Sequence, residues 1–289
     1  MKTILLPLLD DGTEDAETTA NAAIATAQIL ASRFASHVEG LFVKATPLES
    51  AAPVDISPAY FERHQSYWDE AGTIAKKRFT TFMNSHKVTF CGIGETRDGP
   101  TAEWREEIGD RIRIVGSYGR LFDVTVVGRT SLPSTERWMP ICEAALFESG
   151  RPVIVAPPKP PKTLGRRILL AWNGSTETAR TIGLGMQLLL DAESVTVLSV
   201  TGALGGMVPG PDGEQVAAHL VRSGVRAIAK TVQARSRAAG EAILSEAAAS
   251  RADLIVKGAY THSRLREVIF GGTTRHILAE AQVPLLIAH

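Results

Sequence analysis

The sequence predicts an α/β protein built as two doubly wound parallel-sheet domains in tandem. Three observations predict it. Short, near-continuous Val/Ile/Leu runs alternate with helix-length segments rich in small residues, the pattern of a parallel sheet covered on both faces. The pattern occurs twice. Between its two occurrences lies "APPKPPKTLG" at 156–165, whose four prolines and two lysines suit a short stiff linker and neither a helix nor a central strand.

The first copy opens on "TILLPLLDDGT" (3–13), an apolar strand closed by an Asp-Gly turn. The second opens on "RILLAWNGST" (167–176), closed by Asn-Gly. A helix follows each, predicted over 14–36 and 176–190, and then the strands "HVEGLFVK" (37–44) and "SVTVLSV" (194–200). Toward the ends, "FDVTVVGR" (122–129) parallels "ADLIVKGA" (252–259), which aligns Asp123 with Asp253 and Gly128 with Gly258. "ALFESGRPVIVAPP" (145–158) parallels "ILAEAQVPLLIAH" (277–289). Pro152 and Pro284 open these last strands, where a missing N–H is tolerated.

The chain therefore reads as an internal duplication with domains 1–158 and 159–289, each a strand-helix alternation of five strands and four helices. In the second copy the later strands are predicted at 225–232, 253–258 and 284–288, and the helices at 213–223, 239–250 and 273–281. "GGMVPG" (205–210) superficially resembles a dinucleotide loop. It follows a second strand, however, and Pro209 and Pro211 suit a plain loop.

Composition excludes some functions. Thirty-one basic residues balance 31 acidic ones, so no global field gathers nucleic acid or an anionic membrane. The basic stretch 219–237 reads as a helix–strand surface. The N-terminal apolar run is too short to span a bilayer and reaches Asp10 and Asp11 without a small-residue cleavage site, so a cytoplasmic location is expected. Cys91 and Cys142 lack CxxC spacing and read as buried thiols, and no metal-ligand set is evident.

Ligands of open parallel sheets sit outside the carboxyl ends of the strands. In the second copy Gly174, Val200 and Gly258 end strands on that rim, and "GGTT" (271–274) opens the last helix. Helix N–H groups and the helix dipole favour a phosphate there, and glycine lets it approach. Thr273 and Thr274 can cap the helix and donate hydroxyls. A plain loop with an N-cap gives the same letters. Arg264, Arg266 and Arg275 flank the segment and read as a solvated basic face. His262 and His276 lack a paired carboxylate, Trp104, Trp138 and Trp172 read as packing residues, and no catalytic residue is assigned.

The second copy resembles a nucleotide-binding universal stress protein domain, whose motif is Gly, two residues, Gly, nine residues, Gly, then Ser or Thr. Gly258 takes the first place, Thr261 stands in the second, Gly271 takes the third and Gly272 stands in the Ser/Thr position, with Thr273 and Thr274 following. "WNGS" resembles the family's "DGS" turn, with Asn173 for aspartate. The resemblance spans the chain as two copies, strong in the second and topological in the first. It implies an ATP site in the second copy. Asn173, Gly174 and Val200 would frame adenine and ribose, and Gly258, Thr261, Gly271, Gly272, Thr273 and Thr274 would lie along the phosphates. Asn173 lacks the charge that helps hold magnesium, so the metal requirement stays open.

The first copy has no glycine between Gly128 and Gly150 and carries Glu136 where a phosphate would lie, so it is expected to bind no nucleotide. The resemblance also implies pairing of the last strands, "RPVIVAP" against "VPLLIAH", in an internal pseudo-dimer, with homodimers and an unidentified protein partner as further associations. The leading function is ATP-linked regulation in a stress response. A nucleotide-free interaction scaffold and a slow ATP hydrolase or adenylyl-transferring enzyme stand as alternatives.

Overall fold

The computed structural model describes residues 1–8, 13–46, 58–92, 95, 98–130, 138–203, 207–234, 238–259 and 271–289. They fall into two compact units. The first holds Met1–Arg151 with Ala156–Pro160, and the second holds Pro152–Val155 with Pro161–His289. Along the sequence the two units interleave at the linker, with residues 152–155 in the second and 156–160 in the first. Most of a strand from the first copy belongs to the second unit. Among the described residues no helix is long and apolar enough to cross a membrane.

The first unit runs β1 (Thr3–Pro7), α1 (Glu14–Phe34), β2 (His37–Lys44), α2 (Pro58–Ser85), β3 (Thr89–Phe90), β4 (Thr101–Ile108), α3 (Arg111–Tyr118), β5 (Val124–Gly128) and α4 (Trp138–Glu148). Its strands lie in the order β3-β4-β2-β1-β5, all parallel. The two-residue edge strand β3 was not anticipated, being too short to show a period. Thr13 caps α1 by accepting from the Ala16 amide at 3.3 Å. The alanines of α1 let that helix lie close to the sheet, and Ala20, Ala23, Ala27 and Ala31 are buried.

The second unit runs β7 (Arg167–Trp172), α5 (Thr176–Leu184), α6 (Met186–Asp191), β8 (Ser194–Thr201), α7 (Gly213–Arg222), β9 (Ala227–Gln233), α8 (Ala239–Ala249), β10 (Leu254–Gly258), α9 (Gly272–Glu280) and β11 (Leu285–Ala288). The order β9-β8-β7-β10 repeats β4-β2-β1-β5. Strand β6 (Val153–Ala156) closes this unit, antiparallel to β11, with Val155 opposite Leu285 and Val153 opposite Ile287. The helix predicted over 176–190 is two helices. A Cβ at Gly185 would stand 2.8 Å from the Leu286 side chain and 3.0 Å from the Thr181 carbonyl. Close contact selects glycine there, and glycine breaks the helix.

Two aspartates do the same work in both units. The Asp253 carboxylate accepts from the Arg167 amide at 2.8 Å, and that of Asp123 accepts from the Thr3 amide at 3.1 Å. Each ties the start of the unit's first strand to the strand beside it. Both cysteines are free and buried, and burial pushes the Cys142 thiol strongly up, leaving it inert.

Candidate functional site

Strand register assembles the rim. Trp172 lies opposite Ser199, Val200 opposite Val232, and Gly258 opposite Ala288. Asn173, Gly174, Val200 and Gly258 therefore gather at the carboxyl ends of β7, β8 and β10. Thr261 lies outside the described residues, as do His262, Arg264 and Arg266.

At the β7 end, the Asn173 side-chain oxygen accepts from the Thr178 hydroxyl at 2.8 Å and the Ser175 amide at 3.3 Å, so it organises the start of α5. Its carbonyl accepts from the Val208 amide at 2.7 Å. Gly174 has φ +84°, and a Cβ there would fall 2.3 Å from the Val208 carbonyl oxygen. Trp172 donates its indole N–H to the Pro211 carbonyl at 2.8 Å. The chain's own loop, 207–212, thus lies across Asn173 and Gly174, on the ground the resemblance gave to the nucleoside. The Val200 side chain is buried in the core.

Gly258 has a packing reason. A Cβ there would meet the Thr178 amide nitrogen at 2.5 Å, and the Gly258 amide donates to the Thr178 hydroxyl at 3.3 Å. Its first-copy counterpart repeats this, since a Cβ at Gly128 would meet the Thr19 carbonyl oxygen at 2.8 Å. The glycine serves helix–strand approach in both units and so does not by itself mark a phosphate site.

The start of α9 is different. Gly271 is the N-cap, at φ −61° and ψ 154°, with no side-chain hydrogen bond to the helix. The helix begins at Gly272, one residue before the prediction, so Thr273 and Thr274 lie inside the first turn and are not its caps. Apart from chain neighbours and the helix's own backbone, no described residue lies within 4 Å of a Cβ built at Gly271 or Gly272. Neither glycine is explained by backbone strain or by packing against described residues.

The residue that sequence reading missed is Lys257. Its side chain is buried, and the ammonium donates to the Thr274 hydroxyl at 2.7 Å and the Gly258 carbonyl at 2.8 Å. Burial pushes its pKa down to about 8, against a smaller upward pull from Glu177. A lysine inside "DLIVKGA" was the available signal, because a charged residue amid a buried strand needs a reason. A buried amine bonded into the first turn of α9 joins the helix's own positive end. Together they make a spot that favours an anion. An anionic group suits this chemistry, whereas the 207–212 loop lies over Asn173 and Gly174.

The remaining residues fall out plainly. Arg275 is exposed. A Cβ at Gly240 would stand 2.7 Å from the His276 ring, so His276 packs on the start of α8. Trp138 and Trp172 are buried, and Trp104 packs against Phe42 and Phe79. Glu136 lies outside the described residues.

Fold and rim together define an open, doubly wound parallel α/β protein with an anion-favouring helix start in its second unit. Residues 165–289 match the model of the universal stress protein family. The whole chain has the same fold as a universal stress protein from Archaeoglobus fulgidus DSM 4304, at TM-score 0.67 and 14% identity, covering 99% of this chain and 95% of that one. A candidate universal stress protein from Pseudomonas aeruginosa UCBPP-PA14 is similar at TM-score 0.52 and 15% identity, covering 100% of this chain and 93% of the other. At these identities the likeness is one of fold. No curated protein matches the sequence.

Proposed function

We propose that the second half of the chain binds an adenine nucleotide by its phosphates at the start of α9, and that the protein is a nucleotide-responsive regulator of a stress response. The observation that carries this is the α9 start itself: amides without a side-chain cap, two glycines without a packing role among described neighbours, and the Lys257 ammonium bonded to Thr274. When bound, a nucleotide supplies the negative charge that this end of the helix and the buried amine lack. Gly271 and Gly272 leave room for phosphate oxygens to approach the amides, and Lys257 holds positive charge behind them. A base at Asn173 and Gly174 requires the 207–212 loop to leave the Asn173 carbonyl, which couples occupancy to the loop's position. Regulation then follows from a shift between loop-on and loop-off populations.

Calorimetry of the full chain with ATP, with and without magnesium, tests the reading. Gly271→Val is the informative variant, because its backbone suits valine and no described neighbour obstructs the side chain. The expected result is ATP binding weakened by at least about tenfold, roughly 1.4 kcal/mol, with unchanged melting. Absence of ATP binding, or equal binding by the variant, would transfer the function to a nucleotide-free scaffold.

A further inference from the structure

We infer that the first unit holds a site for a divalent first-row transition-metal ion, formed by His37, Glu39 and Glu103. These residues lie on β2 and β4, with Glu39 directly opposite Glu103 and His37 opposite Thr101. One ring nitrogen and one oxygen from each carboxylate lie within 4.8 Å of one another. Like charges facing each other across paired strands repel, and nothing in the sheet pattern calls for them. Burial sharpens the point, since Glu39 is only 6% exposed and the cation beside it, Arg105, stands 3.9 Å away and is held closer by Glu107.

The surroundings hold these groups as outer partners hold metal ligands. The His37 Nδ1 is 2.9 Å from the Thr101 hydroxyl, which leaves Nε2 toward Glu103 at 3.9 Å. Tyr118 donates its hydroxyl to the Glu39 Oε1 at 2.8 Å. An imidazole fixed through its second nitrogen and a carboxylate fixed by a hydrogen bond are the usual supports of a metal site. The side chains of His37 and Glu103 are 25% and 26% exposed, so an ion and its water can enter from solvent. Tetrahedral bonds of about 2.1 Å place ligand atoms about 3.4 Å apart, so a contraction of up to about 1.4 Å closes the site.

One imidazole and two carboxylates suit zinc, cobalt or manganese. Calcium and magnesium ask for more oxygen ligands or strict octahedral geometry. Arg105 is the competing cation, 3.9 Å from the Glu39 Oε1. Its guanidinium is engaged by Glu107 at 2.6 Å and stacks over the Tyr118 ring at 4.7 Å.

The test is calorimetry of the untagged full chain with Zn²⁺ alone, repeated with Ca²⁺ and with Mg²⁺, together with the visible spectrum of the Co²⁺-loaded protein. The expected result is one equivalent of Zn²⁺ that His37→Ala and Glu103→Gln each weaken by at least about a hundredfold. Thr101→Val should weaken it by about tenfold, as loss of an outer partner does. Arg105→Gln should tighten it. Glu103 is part-exposed and glutamine keeps its shape, so an unchanged circular dichroism spectrum and melting of Glu103→Gln separate a lost ligand from a lost fold. No Zn²⁺ equivalent, an equivalent untouched by Glu103→Gln, or a preference for Ca²⁺ over Zn²⁺ would each overturn the site.

Discussion

Lys257 keeps an ammonium group almost wholly out of water, and Lys257→Met removes that charge while leaving an unbranched chain of similar length in the same buried position. In the fold its pKa is about 8, whereas in the unfolded chain it takes the ordinary lysine value of 10.5. Below pH 8 both states carry the proton and the burial penalty acts in full. Between pH 8 and 10.5 the unfolded chain binds more protons than the folded one, so stability rises with pH. At about 1.4 kcal/mol for each tenfold difference in proton affinity, the rise amounts to about 3 kcal/mol.

The methionine variant lacks this rise. It escapes the same penalty at pH 7 but gives up the bonds to Thr274 and Gly258, at about 1 kcal/mol each. The variant should therefore be about 1 kcal/mol more stable than wild type at pH 7 and about 2 kcal/mol less stable at pH 11. Urea unfolding of both proteins, followed by circular dichroism across this range, measures the difference, in which other titrations cancel. A difference that stays flat with pH would refute the burial of a charged Lys257.

The glycines separate packing from binding. Gly258→Ala drives a Cβ into the α5 backbone and should lower stability by about 2 kcal/mol, and Gly128→Ala should do likewise, both read by denaturant midpoint. Gly272→Ala sits in an open helix position and should raise stability by about 0.5–1 kcal/mol while weakening ATP in calorimetry. Val208→Pro removes the amide that holds the loop on the Asn173 carbonyl, so ATP should bind several-fold tighter by calorimetry. ATP bound near Lys257 favours the charged amine, so its affinity should fall as pH rises through 8, with proton uptake detectable by comparing buffers of different ionisation enthalpy.

Much of the fold was legible because buried parallel strands announce themselves. "DLIVKGA" and "FDVTVVGR" align residue for residue, and their aspartates make equivalent bonds in both units. The antiparallel partnership of "RPVIVAP" with "VPLLIAH" also appears as the resemblance implied. The strand β3 was not legible, because two residues carry no periodicity. The break at Gly185 depends on Leu286, a contact that spacing along the chain cannot show.

At the candidate site, sequence located the rim but not how it is used. Asn173 and Gly174 are engaged by Val208, 34 residues or more away, and Lys257 looks like one more strand residue until Thr274 is brought to it. Opposition of Glu39 and Glu103 likewise exists only once β2 and β4 take their register.

The allotment of Val153–Val155 to the second unit has a practical outcome. A protein cut to residues 161–289 would contain every strand of the segment that matches the family model and still be incomplete, because Leu285–Ile287 would present their amides and carbonyls to solvent. Such a fragment would borrow a strand from another molecule, and its self-association would say nothing about how the intact chain assembles.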